Sequence, residues 1–200
     1  MKQAKEKKNK FGIFLMIIGL LLIAGSITLL TFKMIEERRA DKNAVFVTEH
    51  LELLEDEMLD KNEDKNYLML DGEKYIGIIE IPSINIKLPV QSSCSLQQLR
   101  QSPCRYDGNL NDGTLIICAH NYRSHFGYLK DVSIGSKVYF TDINKHIYTF
   151  EVSDKMDING YDVEKMRQTD YWDLTLFTCT YGGRSRTTLR CIRLCSENTE

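Results

Sequence analysis

Residues 175–186 read Thr175-Leu176-Phe177-Thr178-Cys179-Thr180-Tyr181-Gly182-Gly183-Arg184-Ser185-Arg186. Residues 175–181 and 187–194 both alternate and are rich in β-branched and aromatic side chains, and Gly182-Gly183 separates them, so the segment predicts a β-hairpin. With the two glycines at the centre of a primed turn, Tyr181 faces Arg184, Thr180 faces Ser185 and Cys179 faces Arg186. Directly opposed residues share one face of a sheet with Cβ atoms about 4.5 to 5.5 Å apart. A guanidinium therefore stands beside a thiol. A neighbouring cation favours the thiolate, which is the nucleophilic form, and the same guanidinium can hold the oxyanion formed when that thiolate attacks an acyl group. An ordinary buried strand cysteine near a surface arginine gives the same local pattern, so the hairpin needs partners before it implies chemistry.

The chain has 200 residues, enough for one domain and an appendage. Residues 11–32 form an apolar run relieved only by glycine, serine and threonine, long enough for a helix that spans a bilayer. Lys2, Lys5, Lys7, Lys8 and Lys10 precede it against the single acid Glu6. By the positive-inside rule the N-terminus stays cytoplasmic and the remainder faces outward. A cleaved signal peptide would have a shorter apolar core ending at a small-residue site. Here the run continues past Ala24-Gly25-Ser26, and an uncleaved single-pass anchor in the cell membrane is expected. The expected organisation is a basic cytoplasmic tail over 1–10, the anchor over 11–32, a stalk or linker over 33–66 and a catalytic β-domain over 67–200.

Removing the five lysines and one glutamate of the first ten residues from 26 basic and 28 acidic residues leaves 21 against 27, a balance of −6 on the outward part. Nucleic acid, whose binders carry a basic footprint, is not an expected partner. The six cysteines, Cys94, Cys104, Cys118, Cys179, Cys191 and Cys195, include no CxxC pair, and a structural zinc site is not expected. If Cys179 stays free to react, five remain and at least one more is unpaired within the chain. Mostly reduced, partly buried thiols are predicted.

Residues 36–67 are charged, lack Pro and Gly, and carry apolar residues at loosely helical spacing. They read either as a helical stalk or as a solvated spacer. Beyond Asp71-Gly72 the composition changes to short strands at 75–81, 84–90, 114–120, 137–142 and 146–153, with helical turns at 95–101 and 162–168. Pro89 suits an edge or irregular strand. Many short strands with too few helices for βαβ units predict an all-β fold, a closed antiparallel barrel or a sandwich.

A thiol nucleophile needs a base or proton donor close in space. Of His50, His120, His125 and His146, His120 ends the apolar strand Thr114-Leu-Ile-Ile-Cys-Ala-His120 where the chain enters a loop, the kind of place where function concentrates. His125, in the loop itself, is the weaker rival. Arg184, Arg186 and Arg190 all project on the Cys179 face, with Arg186 directly opposite. There is no phosphate loop, paired-carboxylate signature or HExxH. The scattered Glu80, Asp107, Asp112 and Glu151 have no metal-ligand spacing, and neither a metal nor a cofactor is expected.

Together the anchor, a strand ending Ala119-His120-Asn121, the later Thr175-Leu-Phe-Thr-Cys179 and an arginine opening the next strand resemble the sortase family of Gram-positive cell-surface cysteine transpeptidases. The likeness covers about residues 75–194, and its most specific piece is the TLxTC pattern of Thr175, Leu176, Thr178 and Cys179. Tyr75-Ile-Gly-Ile-Ile-Glu-Ile-Pro82 resembles the family's opening strand. What the resemblance implies is an eight-stranded antiparallel barrel. In it Cys179 would cleave an LPxTG-like sorting signal through a thioester and pass the surface protein to an amine of a cell-wall precursor or a pilin. His120 would be the proton donor and acceptor and Arg186 the oxyanion residue. Thr178 and Ala119 would bind substrate. The loop between cysteine and arginine is shorter than in many members, which keeps Arg184 an alternative to Arg186. Cys118 is an extra thiol that could oxidise against Cys179. A membrane-tethered cysteine peptidase and a non-enzymatic wall-binding β-domain are the competing readings.

Overall fold

The computed structural model describes residues 2–53, 67–168, 170–180 and 182–194. The chain divides into two compact units, residues 1–38 and 39–200.

The first unit lies within helix α1 (Lys2–Leu53). The segment Phe11–Ile35 is long and apolar enough to cross a membrane and has none of its apolar window buried. Its 25 residues extend ~37 Å at 1.5 Å per residue, more than the ~30 Å hydrocarbon thickness of a bilayer. Its few hydroxyls are paired within the helix. Ser26 Oγ donates to the carbonyl of Ile23, Thr28 Oγ1 to that of Ala24, and Thr31 Oγ1 to that of Thr28, at 2.8 to 2.9 Å, so the helix leaves little unpaired polarity on its surface. The helical reading of the stalk holds through Leu53; the rest of it, residues 54–66, lies outside the described residues.

The second unit is a closed barrel. Its strands are β1 (Leu68–Leu70), β2 (Glu73–Ile81), β3 (Ile86–Gln91), β4 (Cys104–Asp107), β5 (Leu115–Ala119), β6 (Lys137–Asp142), β7 (Ile147–Asn159), β8 (Leu174–Cys179) and β9 (Ser185–Arg193). The sheet order β1-β2-β3-β4-β5-β8-β9-β7-β6 returns on itself through a β2–β6 pairing. Eight strands close the barrel and β1 extends β2 as a ninth. The closed eight-stranded barrel is the expected one, but it is not antiparallel throughout. The β3–β4 and β5–β8 pairs run parallel, and the second of these builds the site. Pro89 lies in a strand that pairs β4 only through Gln91 and Cys104, so on that side β3 is nearly an edge and the missing N–H costs little.

Alternation along the strands separates two apolar clusters. Leu115, Ile117 and Ala119 of β5, Leu174 and Leu176 of β8, and Leu189 and Cys191 of β9 fill the barrel with residues of β2, β3, β6 and β7. The intervening residues face outward, where Cys104, Ile116, Cys118, Phe177 and Ile158 form a second buried cluster with Met166. Met166 belongs to α3 (Val163–Arg167), whose N-cap Asp162 accepts a hydrogen bond from the Lys165 N–H. The short helix α2 (Leu96–Leu99) is capped in the same way by Ser95. Leu99 packs against this outer cluster.

Arg190 is the largest fully buried side chain. Its guanidinium donates to the carbonyls of Lys165, Met166 and Gln168 at the C-terminal end of α3 and, at 2.6 Å, to Thr175 Oγ1, and it lies 4.8 Å from the Trp172 ring centroid. A cation there satisfies carbonyls that a helix end leaves unpaired. Arg190 thus shares the outward face with Cys179, as its spacing predicts, but holds a helix down.

Candidate active site

The hairpin register worked out from the sequence is the one observed. β8 and β9 pair antiparallel with Cys179 opposite Arg186, Thr178 opposite Thr187 and Phe177 opposite Thr188, and the Thr180 N–H donates to the Ser185 carbonyl at 2.9 Å. The turn itself differs in detail. Its hydrogen bond runs from the Gly183 N–H to the Thr180 carbonyl, 2.9 Å, one residue earlier than a turn centred on the two glycines. Gly182 and Gly183 have φ of 88° and 70°, a region open to glycine and costly for other residues. The expected Tyr181–Arg184 opposition falls on Tyr181, outside the described residues.

Parallel pairing brings the histidine strand alongside. Ile116 pairs with Thr175, Cys118 with Phe177 and Ala119 with Thr178; the next residues in this register are His120 and Cys179. Neighbouring strands lie about 4.8 Å apart, so both strands end side by side, each with its chemistry-bearing residue in the first position past the buried pair Ala119 and Thr178. Cys179 is half-buried and reduced. Its side chain falls on the outward face with Phe177 and Thr175, and that of Arg186 on the same face across the pair. A nucleophile candidate, a histidine and an arginine thus converge at one end of the barrel, outside its core.

Arg186 is half-buried, and its guanidinium turns back to the hairpin, where Nη1 donates to the Gly183 carbonyl at 3.0 Å and the Ser185 carbonyl at 3.3 Å. Gly160 makes room for it: a Cβ there would lie 3.0 Å from Arg186 Nη1 and 3.1 Å from the Arg184 carbonyl. The Gly160 N–H also donates to that carbonyl, at 2.9 Å. Arg184 is an exposed turn residue, so the structure sets Arg186 and not Arg184 opposite Cys179.

Thr178 and Ala119 are 5% and 3% exposed, and Thr178 Oγ1 donates to the Ala119 carbonyl at 2.8 Å. Their side chains turn away from the Cys179 face, toward the barrel interior. The His120 ring packs 4.8 Å from that of Tyr122, which lies 5.5 Å from His125. His125 is fully buried. Burial, followed by the nearby His120 ring, pushes it down to about 4, and the Gln101 backbone opposes the shift weakly. Neither ring nitrogen completes a hydrogen bond. It packs in the interior beneath the His120–Tyr122 stack.

Cys118 makes its sulfur contact with Cys94, at 3.2 Å. A cavity of about 300 Å³ lined by Asn109, Leu115, Asp142, His146 and Tyr148 lies at the other end of β5 from His120. Among the described residues no group of His, Cys, Asp and Glu could hold a metal ion.

A closed barrel with Cys179 and Arg186 opposed on one hairpin, and His120 ending the parallel neighbour, defines a class of thiol-bearing β-barrels whose site lies at the strand ends. A sequence profile of the sortase domain matches residues 79–197, and the chain belongs to the sortase family. It is 26% identical over 115 residues to sortase A of Bacillus anthracis, a match covering 55% of this chain and 54% of that protein. The matched region thus spans about half the length of that relative. Among solved structures it is similar to sortase C1 from Streptococcus suis, with 25% identity, TM-score 0.54 and coverage of 63% and 76% of the two chains. It is also similar in fold to the Clostridium perfringens sortase D5 transpeptidase, with 16% identity, TM-score 0.61 and coverage of 79% and 99%.

Proposed function

We propose that the protein is a membrane-anchored cysteine transpeptidase acting on surface proteins that carry an LPxTG-like sorting signal, with its N-terminus cytoplasmic and its barrel outside the cell. The observation that carries this reading is the register: Cys179 opposite Arg186 in β8–β9, and His120 following Ala119 where Cys179 follows Thr178. The Cys179 sulfur attacks the carbonyl carbon of the signal's threonine, and the C–S bond forms as the carbonyl electrons move to oxygen. Arg186 stabilises that oxyanion, a type of contribution whose loss costs about 10² to 10³ in rate. His120 gives a proton to the departing glycine nitrogen as the C–N bond breaks, leaving a thioester on Cys179. An amine from a wall precursor or a pilin then attacks the thioester, His120 takes its proton, and the thiolate departs. Thr178 and Ala119 act by fixing the spacing of the two strand ends, and any contact they make with substrate is through the backbone.

The family membership and the anchor-like helix support this reading over a wall-binding β-domain. A cysteine peptidase would use the same three residues with water as acceptor. The test is intact-mass spectrometry of the full chain in detergent with LPxTG-like peptides, with and without oligoglycine or a diamine. An adduct on Cys179, absent in Cys179→Ala and discharged by amine into a ligated product, is the expected result. Hydrolysis unaffected by amine would favour the peptidase; no adduct, with Cys179 alkylated no faster than the other thiols, would favour the binding domain.

A further inference from the structure

Three thiols gather on the outer face of β4 and β5 beside the site. Cys104 and Cys118 are directly opposed across the two strands and both are buried. Cys94 comes to them from the segment between β3 and α2 and is exposed. Its sulfur lies 3.2 Å from that of Cys118. Cys104 also neighbours Cys94, but its thiol donates to the Ser102 carbonyl at 3.3 Å, whereas Cys118 makes the direct sulfur contact with Cys94. On β5, Cys118 stands two residues before His120 and on the same face.

We infer that Cys94 and Cys118 form an oxidant-reactive dithiol, in which exposed Cys94 takes the first hit from a hydroperoxide and Cys118 resolves it to a disulfide, leaving Cys179 reduced. The geometry requires little movement: the two sulfurs must close from 3.2 Å to about 2.05 Å. Cys94 sits outside the strands, between β3 and the Ser95 cap of α2, so it can make that approach while Cys118 stays fixed in the sheet. Neighbouring thiols favour the reactive form of Cys94. Contact with Cys104 and then Cys118 holds it well below the usual thiol range, with nearby His120 contributing in the same direction. The same contacts, together with burial, push Cys104 and Cys118 up. Cys94 is exposed and Cys118 buried, so the accessible thiol meets the oxidant first and the resolving thiol is shielded by the sheet.

The step balances with hydrogen peroxide as oxidant. The Cys94 thiolate attacks one peroxide oxygen, an S–O bond forms as the O–O bond breaks, and the departing hydroxide takes a proton to become water. Cys94 is then a sulfenic acid. The Cys118 sulfur displaces that hydroxyl, forming the S–S bond, and the Cys118 proton leaves with the hydroxyl as a second water. Two electrons have passed from the two sulfurs to the peroxide. Thiols restore the pair by exchange. None of this requires acyl transfer, so the readout is mass and not turnover.

The test is to treat the reduced full-length chain in detergent with an equimolar amount of hydrogen peroxide, block remaining thiols with N-ethylmaleimide, and map peptides without reduction. The expected product is two hydrogens lighter than the reduced chain before blocking. It carries a cross-link between the Cys94 and Cys118 peptides that dithiothreitol removes, and it has Cys179 fully alkylated. Cys94→Ser, an exposed substitution with little bearing on folding, should lose the cross-link entirely. A cross-link joining Cys94 to Cys104 or Cys118 to Cys179, or a sulfenic acid trapped first on Cys179, would overturn the assignment, as would complete alkylation of Cys94 after peroxide.

Discussion

The hydroxyl of Thr178 donates a 2.8 Å hydrogen bond to the carbonyl oxygen of Ala119, so the residue before Cys179 is tied to the residue before His120. Sheet pairing alone aligns β5 with β8; this bond adds a side-chain lock at the last paired position. A buried hydroxyl bond of this kind contributes about 1 kcal/mol net. Thr178→Val, which keeps the shape and loses the donor, should lower unfolding stability by roughly 1 to 2 kcal/mol in urea titration. It should also slow thioester formation. Thr178→Ser should retain most of both. Equal stability in the valine variant would mean that the bond contributes nothing and that strand pairing suffices.

Arg186 and Arg184 separate cleanly. Only Arg186 is opposite Cys179, so Arg186→Ala should reduce acyl-enzyme formation about 10²- to 10³-fold. Arg186→Lys should recover part of the loss, because an ammonium supplies charge without the fork of donors. Arg184→Ala should stay near the parent rate. Single-turnover mass spectrometry reads all three, and a large effect at Arg184 with none at Arg186 would reverse the assignment.

Arg190 carries a different expectation. Its guanidinium reaches three backbone carbonyls and Thr175 Oγ1 from a fully buried position. Arg190→Met would strand those acceptors, and bonds to charged groups contribute about 1.5 to 3 kcal/mol each. A loss of roughly 3 kcal/mol or more in denaturant unfolding is expected, with residual folded protein still able to form the adduct. A variant of parent stability would show that water replaces the guanidinium at no cost.

His125 gives a pH signature. Its value in the folded chain, about 4, lies below the ordinary ~6.5 of a histidine, so between these values the unfolded chain binds a proton that the folded chain refuses. Stability is therefore full above about pH 6.5 and falls as pH drops toward about 4. At about pH 5 the cost is roughly 2 kcal/mol at 1.36 kcal/mol per unit. Urea unfolding of the parent and of His125→Phe near pH 7.5 and near pH 5 isolates this from the carboxylates. The variant should lose less stability on acidification; identical losses would show that the ring is protonated in place.

How far these features could be read in the sequence depends on how local they are. The Cys179–Arg186 opposition follows from a hairpin, where one turn fixes every pair, and the register survived although the turn hydrogen bond lies one residue earlier. The outward face of Arg190 was legible for the same reason, but its role was not, because its partners on α3 come from another part of the chain. The parallel β5–β8 pair joins residues 59 apart, and nothing in either strand's pattern states that direction; the resemblance to a family put His120 near Cys179, while spacing alone could not. The burial of His125 was not legible from its place in a loop. The loop residues Phe126 and Leu129 are fully buried in the barrel cluster, so the segment dips inward and takes the histidine with it, and their apolar character was the available signal. The approach of Cys94 to Cys118 left no trace in spacing at all.

The β5–β8 junction also sets when His120 and Cys179 come together. His120 and Cys179 acquire each other only after the intervening strands β6 and β7 and the helix α3 have been made. Long-range pairing of this kind carries a loop-closure cost and slows folding. A chain emerging N-terminus first would hold its histidine strand for the whole synthesis of the next 59 residues before Cys179 can lie beside it. The barrel thereby works as a timer: His120 and Cys179 come side by side only once β8 has been made.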